Sequence, residues 1–586
     1  MRGISRLPKG PETSVLRGIV VTLAVLQATV LGLLARRGSW LSDDLDFLVQ
    51  GGRGFAPHEL LQPVNDHIAP GLRFVYATFA TVAPLNYNLT VGWRILMQAL
   101  AITLMGLLLI RILGPTWWVI LGTAVYALMP VSMPSFMSLS SGVNNLSAHV
   151  FGLLLLHATI DWYDGHRRRA IAYGPLSLLM SLACWEKSGL ILLSVAALAL
   201  YLRDEPFRQW LRRTWPFAAA LGAAVVGFGL LYITQADPSR GQVPAVADLV
   251  GLLGRGFEVP LSAVVGGPWT WAKTGEAFSL AAPPLAGLLA GGLLTALLWT
   301  VAWRRDRRAL LFWIAVAGYV PATVALVAYG RFSTFGSVLT VHYHYWSDLS
   351  IPLTLAVVLS ARQVRAFVPV LVLVGFAAGA IVSDAGFAQQ WGNNPAKAYL
   401  ATVDAELDRT GTNVNLWDTA MPQPIGTALM SDRRLSPVLQ MAGRQFRVQE
   451  PGSEPLIVDD TGHIRPASFA VWSRNAAPAA PNAFCNFLLR GTEPLTIELS
   501  PTQNEVAVAE WFVKAAYFSN RENEVSIELL DADGAVTALP ARNWPAGATT
   551  MYLGPSQRIR ATELRLRSAD PASNLCVTDL QIGLPR

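Results

Sequence analysis

The chain is short of charge. Only 14% of its 586 residues are Asp, Glu, Lys or Arg, against about 25% in soluble proteins, and the deficit excludes an ordinary water-soluble domain. It is short of cysteine as well: Cys184, Cys485 and Cys576 are too few for a disulfide scaffold. There is no P-loop, dinucleotide fingerprint, zinc-protease motif or nucleophile elbow, so nothing points to nucleotide hydrolysis, hydride transfer or those hydrolytic chemistries. Internal repeats, which many transporters carry, are not evident. No small-residue cleavage site is clear before Arg36-Arg37, so the basic N-terminal segment and the run behind it are expected to form an uncleaved first span.

What the chain has instead is apolar length. Hydrophobic residues make up 52% of it, with mean hydropathy +0.39. Runs near residues 18–35, 91–113, 116–132, 146–163, 169–185, 188–202, 214–234, 283–303, 309–329, 347–361 and 366–383 predict a polytopic helical membrane protein of about eleven crossings. The formal charge of +6 does not signal nucleic acid, because the basic residues sit in short clusters between these runs. Arg111, His166 to Arg169, Arg203 to Arg213, Arg304 to Arg308, and Arg362 with Arg365 all fall on the side of the N-terminus, which the positive-inside rule assigns to the cytoplasm. Arg36-Arg37 runs against the rule. Residues 36–90 and 235–282 then become outer loops.

After Ser383 the composition turns polar, which divides the chain into a transmembrane domain, 1–383, and an extracytoplasmic domain, 384–586. Segments such as Leu495-Thr496-Ile497-Glu498-Leu499 and Glu524 to Leu529 alternate apolar and polar between turn signals, the pattern of a β-sandwich. A small mixed segment is expected at 396–450. Cys485 and Cys576 lie near the start and end of the sandwich, in the compartment where disulfides persist, and a bridge between them is expected. Two unpaired buried thiols are the alternative.

Four constellations can carry chemistry. The first outer loop holds Asp43, Asp44 and Asp46. An extended segment points Asp44 and Asp46 the same way, whereas a helical turn brings Asp43 and Asp46 together. Such carboxylates can accept a proton from an alcohol or hold a divalent cation, Mg, Mn or Ca, through oxygen; a solvated acidic loop is the plainer reading. The same loop carries Asn65-Asp66-His67 before Pro70, and an imidazole there can bind a phosphate or a sugar hydroxyl. Trp185-Glu186-Lys187 interrupts two apolar runs at the outer boundary, where Lys187 can neutralise a lipid-linked phosphate or simply close a hairpin. Arg331 and His342-Tyr343-His344-Tyr345 occupy another outer connection. An extended backbone would align His342, His344 and Trp346. Asn144, Asn145 and His149 precede the fourth span and are candidates for the same cavity.

Asp43-Asp44 behind a first span, then Asn65-Asp66-His67, Asn144-Asn145 and Trp185-Glu186-Lys187, under a C-terminal β-domain, resemble the GT-C class of integral membrane glycosyltransferases, and in particular its uncharacterised actinobacterial members. The resemblance implies an inverting transferase in a bacterial plasma membrane. It would take a sugar from a polyprenyl-phosphate donor to a glycan, lipid or protein acceptor on the extracytoplasmic face. It makes one acidic residue of the loop pair the general base, Asp43 first and Asp44 next, and some members use a divalent metal. It implies a jelly-roll or carbohydrate-binding fold for the β-domain. Where relatives carry an Arg-Tyr pair, His342 to Tyr345 stand here, which leaves the phosphate contact open between Lys187, Arg331 and the histidines His342 and His344. A transporter or flippase of lipid-linked glycans, and a non-catalytic glycan-binding envelope protein, are the competing readings.

Overall fold

The computed structural model describes residues 12–63, 67–235, 244–273, 279–364, 367–427, 430–477, 485, 487–502 and 508–586. They divide into two compact units, Met1–Pro395 and Ala396–Arg586. The first is helical. Among its described residues, eight helical stretches are long and apolar enough to cross a membrane. The three remaining runs expected to span do form helices, but Ile191–Tyr201 and Ser350–Ala361 have only 11 and 12 residues. Arg167–Cys184 opens on three arginines and carries an internal Pro175. Each of the two short helices runs on directly from a 3-10 helix, Glu186–Leu190 and Tyr343–Leu349 respectively.

The long helices have distinct ends. In Leu139–Tyr163, Asn144 and Asn145 lie near the start and Asp161 near the finish, roughly 25 Å apart along the axis. The Asp161 end belongs to a charged network, with Arg111 Nη2 donating to Asp161 at 2.6 Å and Asp164 at 2.7 Å. Arg308 reaches Asp204 at 3.2 Å and Arg362 reaches Asp306 at 2.9 Å. Basic connections that are far apart in sequence are thus paired with one another, away from the asparagines.

The segment that follows the first long helix is fastened at its root. Trp391 Nε1 donates to Ala35 O at 3.0 Å, and Asn394 Nδ2 donates to Ser39 O at 3.1 Å and Trp40 O at 2.9 Å. Gly38 packs against the Trp391 indole, leaving no room for a Cβ. These contacts fix where the next helix, Ser42–Gly51, begins.

The second unit starts with the helix Ala396–Thr410 and a four-stranded sheet built from Asn415–Leu416, Arg447–Val448, Leu456–Val458 and Ile464–Pro466. A nine-stranded sheet follows, in which Phe469–Asn475 pairs with both Leu495–Pro501 and Asn574–Pro585 and so joins the two halves. Alternate residues turn inward on one core containing Ile497, Trp511, Val525, Leu564 and Leu580, as the period-two pattern requires. Trp417 and Trp511 are both buried. Cys485 and Cys576 are bridged, with Cα atoms 5.6 Å apart, beside the pairing of Phe487–Arg490 with the last strand.

Candidate functional site

The acidic stretch is helical, and a turn of about 100° per residue puts the adjacent Asp43 and Asp44 on different faces. Asp44 is buried. Its Oδ2 accepts from Leu41 N at 3.0 Å, closing the helix start. Its Oδ1 accepts from Tyr76 Oη at 2.9 Å and from Ser140 N at 2.8 Å. One carboxylate therefore ties together Ser42–Gly51, Pro70–Val82 and the start of Leu139–Tyr163. Burial pushes its carboxyl above the ordinary value, and the three donors and Arg94 only partly offset it. Asp46 is also buried, accepting from Gln50 Nε2 at 3.1 Å, and Gln50 in turn accepts from Arg73 at 3.0 Å. Asp43, one position earlier, faces a cavity instead.

That cavity, open on one side, spans about 650 Å³. Its polar lining comes from Asp43, His67, Ser140, Ser141, Asn144, Asn145, Glu186, Arg331 and His344, with Trp185 and Tyr345 among the aromatic walls. Five separate parts of the sequence converge here: the segment between the first two long helices, the start of Leu139–Tyr163, the Trp185-Glu186 corner, Arg331, and the His344-Tyr345 connection. Asn65 and Asp66 lie outside the described residues. His67 Nδ1 stands 2.5 Å from Glu186 Oε1. Burial works to raise the Glu186 carboxyl, but His67 beside it and Arg331 outweigh that effect and hold it below the usual range. The pair is a polarised imidazole–carboxylate unit facing Asp43 across the cavity.

Other sequence candidates do not line this cavity, although Lys187 lines a space adjoining it. Lys187 is buried, its Nζ 2.6 Å from Asp348 Oδ1 and 2.5 Å from Tyr319 Oη, with Trp185 against it at 4.5 Å. It anchors the corner that presents Glu186. His149 is buried between Tyr126 Oη at 2.7 Å and Ser347 Oγ at 3.2 Å and does not line the cavity. His342 does not line it either; its ring stands 5.6 Å behind that of His344. The segment that holds both is not extended: Tyr343–Leu349 is a 3-10 helix, and Trp346 Nε1 turns back to Thr340 O at 2.9 Å. Packed against helices and against Trp271, this aromatic stretch satisfies its backbone locally, within its own turns.

Two residues that the sequence reading passed over matter to the site. Arg94 is fully buried, donating to Phe136 O at 3.0 Å and to Met137 O, and its charge acts on Asp44. An arginine well inside the 91–113 run, away from the basic end at Arg111, was the available signal, since such charges seldom lack a role. Asp348, the partner of Lys187, stood at the edge of an apolar run and gave a weaker one.

A second, larger space adjoins the first. It holds about 1410 Å³ and runs between helices, lined by apolar side chains such as Leu192, Val225, Phe228, Ile233 and Leu326. His67, Trp185, Glu186, Arg331 and Tyr345 line both spaces. The arrangement can hold a molecule with a polar head in the cavity and a hydrocarbon tail in the groove.

For a divalent cation the donor set is thin. Asp44 spends both oxygens on protein donors and Asp46 is turned to Gln50. No group of three or more His, Cys, Asp or Glu that could hold a metal occurs among the described residues.

No protein-family model matches the chain, and no curated protein does. Among solved structures, the chain is similar to the arabinosyltransferase EmbB from Mycobacterium smegmatis, solved by single-particle cryo-EM, with 11% identity and a TM-score of 0.36. The match covers 99% of this chain and 66% of that one, just under two thirds of its length.

Proposed function

We propose that the protein is an inverting integral membrane glycosyltransferase of the GT-C type, which moves a sugar from a polyprenyl-phosphate donor to a hydroxyl of a glycan, lipid or protein acceptor. The observation that carries this reading is the junction of a polar, carboxylate-bearing cavity with a long apolar groove through five shared residues. A donor that is a sugar phosphate at one end and an isoprenoid at the other matches both halves.

In this reading Asp43 is the general base that takes the proton of the acceptor hydroxyl. Arg331 and His67, the latter polarised by Glu186, face the phosphate that departs, where positive charge lowers the barrier most. Ser140, Ser141, Asn144, Asn145 and His344 supply hydrogen bonds to sugar hydroxyls. Asp44 and Lys187 position their neighbours Asp43 and Glu186 from behind. The basic ends of the helices are assigned to the cytoplasm by the charge rule, which puts the cavity and the β-rich unit on the extracytoplasmic side of a bacterial plasma membrane.

The test offers the purified protein labelled polyprenyl-phosphate sugars with cell-envelope acceptors. Transfer by the wild type that is lost in Asp43→Asn supports the proposal. Full activity in Asp43→Asn would remove the base assignment, and movement of intact lipid-linked glycan across a vesicle membrane without transfer would favour a flippase instead.

A further inference from the structure

A separate crevice lies in the helical unit, lined by apolar side chains alone and holding about 740 Å³. One wall is a stripe on the helix Leu285–Arg305: Leu294, Leu297, Leu298 and Val301. Steps of three and four residues keep a helix on one face, so the stripe continues from Val301 onto Arg304 and Arg305. The facing wall includes Ala361 and Val364. Arg305 Nη1 donates to Gln363 O at 3.2 Å, beside that wall, and so stands at the mouth of the crevice. The neighbouring arginines are already engaged. Arg362 binds Asp306 at 2.9 Å and Tyr201 Oη at 2.8 Å, and Arg308 binds Asp204 at 3.2 Å. Among the described residues Arg304 and Arg305 have no carboxylate partner.

We propose that this crevice is a binding site for an anionic phospholipid, with one acyl chain along the Leu294–Val301 stripe and the phosphate headgroup against Arg304 and Arg305. The charge at the mouth is what selects the occupant. A neutral lipid or a helix of a second copy would gain the apolar wall but would leave two cations without a counter-charge at the membrane surface, where each attracts anionic headgroups. The site lies at the basic end of the helices and shares no lining residue with the cavity that holds Asp43, so it stands apart from the transfer chemistry.

The full chain, delipidated in neutral detergent, would be titrated with phosphatidylglycerol and, separately, with phosphatidylcholine of the same acyl chains. Retained lipid would be read by native mass spectrometry and stabilisation by thermal unfolding. Phosphatidylglycerol is expected to be retained preferentially, and Arg304→Gln with Arg305→Gln to lose roughly fivefold in affinity per arginine. Arg307→Gln, whose guanidinium packs 5.0 Å from the Trp303 ring, serves as the control and should change little. Monodispersity and an unchanged helical signal establish that the double variant is folded. Equal retention of the two lipids, undiminished phosphatidylglycerol binding in the double variant, or a dimer that excludes lipid from the crevice would each overturn the proposal.

Discussion

A helix turns by about 100° per residue, so Asp43 and Asp44, adjacent in sequence, meet different surroundings. Asp43→Asn is expected to lower transfer by about 10²- to 10⁴-fold, the usual worth of a general base, with no loss of stability. Asp44→Asn places an amide where three donors point at a carboxylate. It should cost about 1–3 kcal/mol of stability, seen as a lower unfolding temperature, with activity falling because Asp43 is no longer held. The two variants are told apart by thermal unfolding, which only the second should shift. His342 gives a prediction in pH. Burial pushes its imidazole down to about 4 from the ordinary 6.5. Between these values the unfolded ring binds a proton and the folded ring does not, so the stability linked to His342 is lost as pH falls from about 6.5 toward 4. Unfolding temperatures across that range should decline less steeply in His342→Asn than in the wild type.

At the scale of elements, the Glu186 corner hangs on a buried ion pair. Removing one member of such a pair typically costs about 3–5 kcal/mol, and replacing both by apolar groups recovers much of it. Lys187→Met should therefore unfold far earlier than Lys187→Met with Asp348→Leu, a comparison that calorimetry in detergent can make. In the second unit, the bridge closes a loop of 91 residues. Replacing Cys485 and Cys576 by serine should cost about 2–5 kcal/mol, measurable as a lower denaturant midpoint. Much of this was legible beforehand. Apolar runs announce long helices, alternation announces inward-facing strands, and the cysteine pair was read from its placement. The Tyr343–Leu349 backbone was not legible, because alternating aromatic and histidine residues fit a strand and a tight helix equally until neighbours decide. Nor was the choice of which of Asp43 and Asp44 faces the cavity, which depends on where Tyr76 and Ser140 fall in three dimensions. Local spacing named the corner at Glu186-Lys187, but only packing shows that one residue faces the cavity and the other is spent on Asp348.

On the scale of the helical unit, five parts of the sequence that are far apart in the chain meet at one cavity, and that convergence could only be guessed from topology. The adjoining groove makes a prediction of its own. Val225→Trp, from the groove wall, should raise KM for a long-chain polyprenyl donor while leaving KM for a short-chain, soluble analogue nearly unchanged. Steady-state rates with the two donors measure this, and an equal effect on both would remove the groove from donor binding. The five residues common to groove and cavity also bear on the order of events. On the proposed function, a spent polyprenyl phosphate left in the groove after transfer would keep its phosphate against His67 and Arg331, where the next donor must lodge. Free carrier lipid should therefore compete with the donor but not with the acceptor. Turnover would then be throttled by its own by-product, so the rate at which the carrier is cleared from the membrane would set the pace of synthesis.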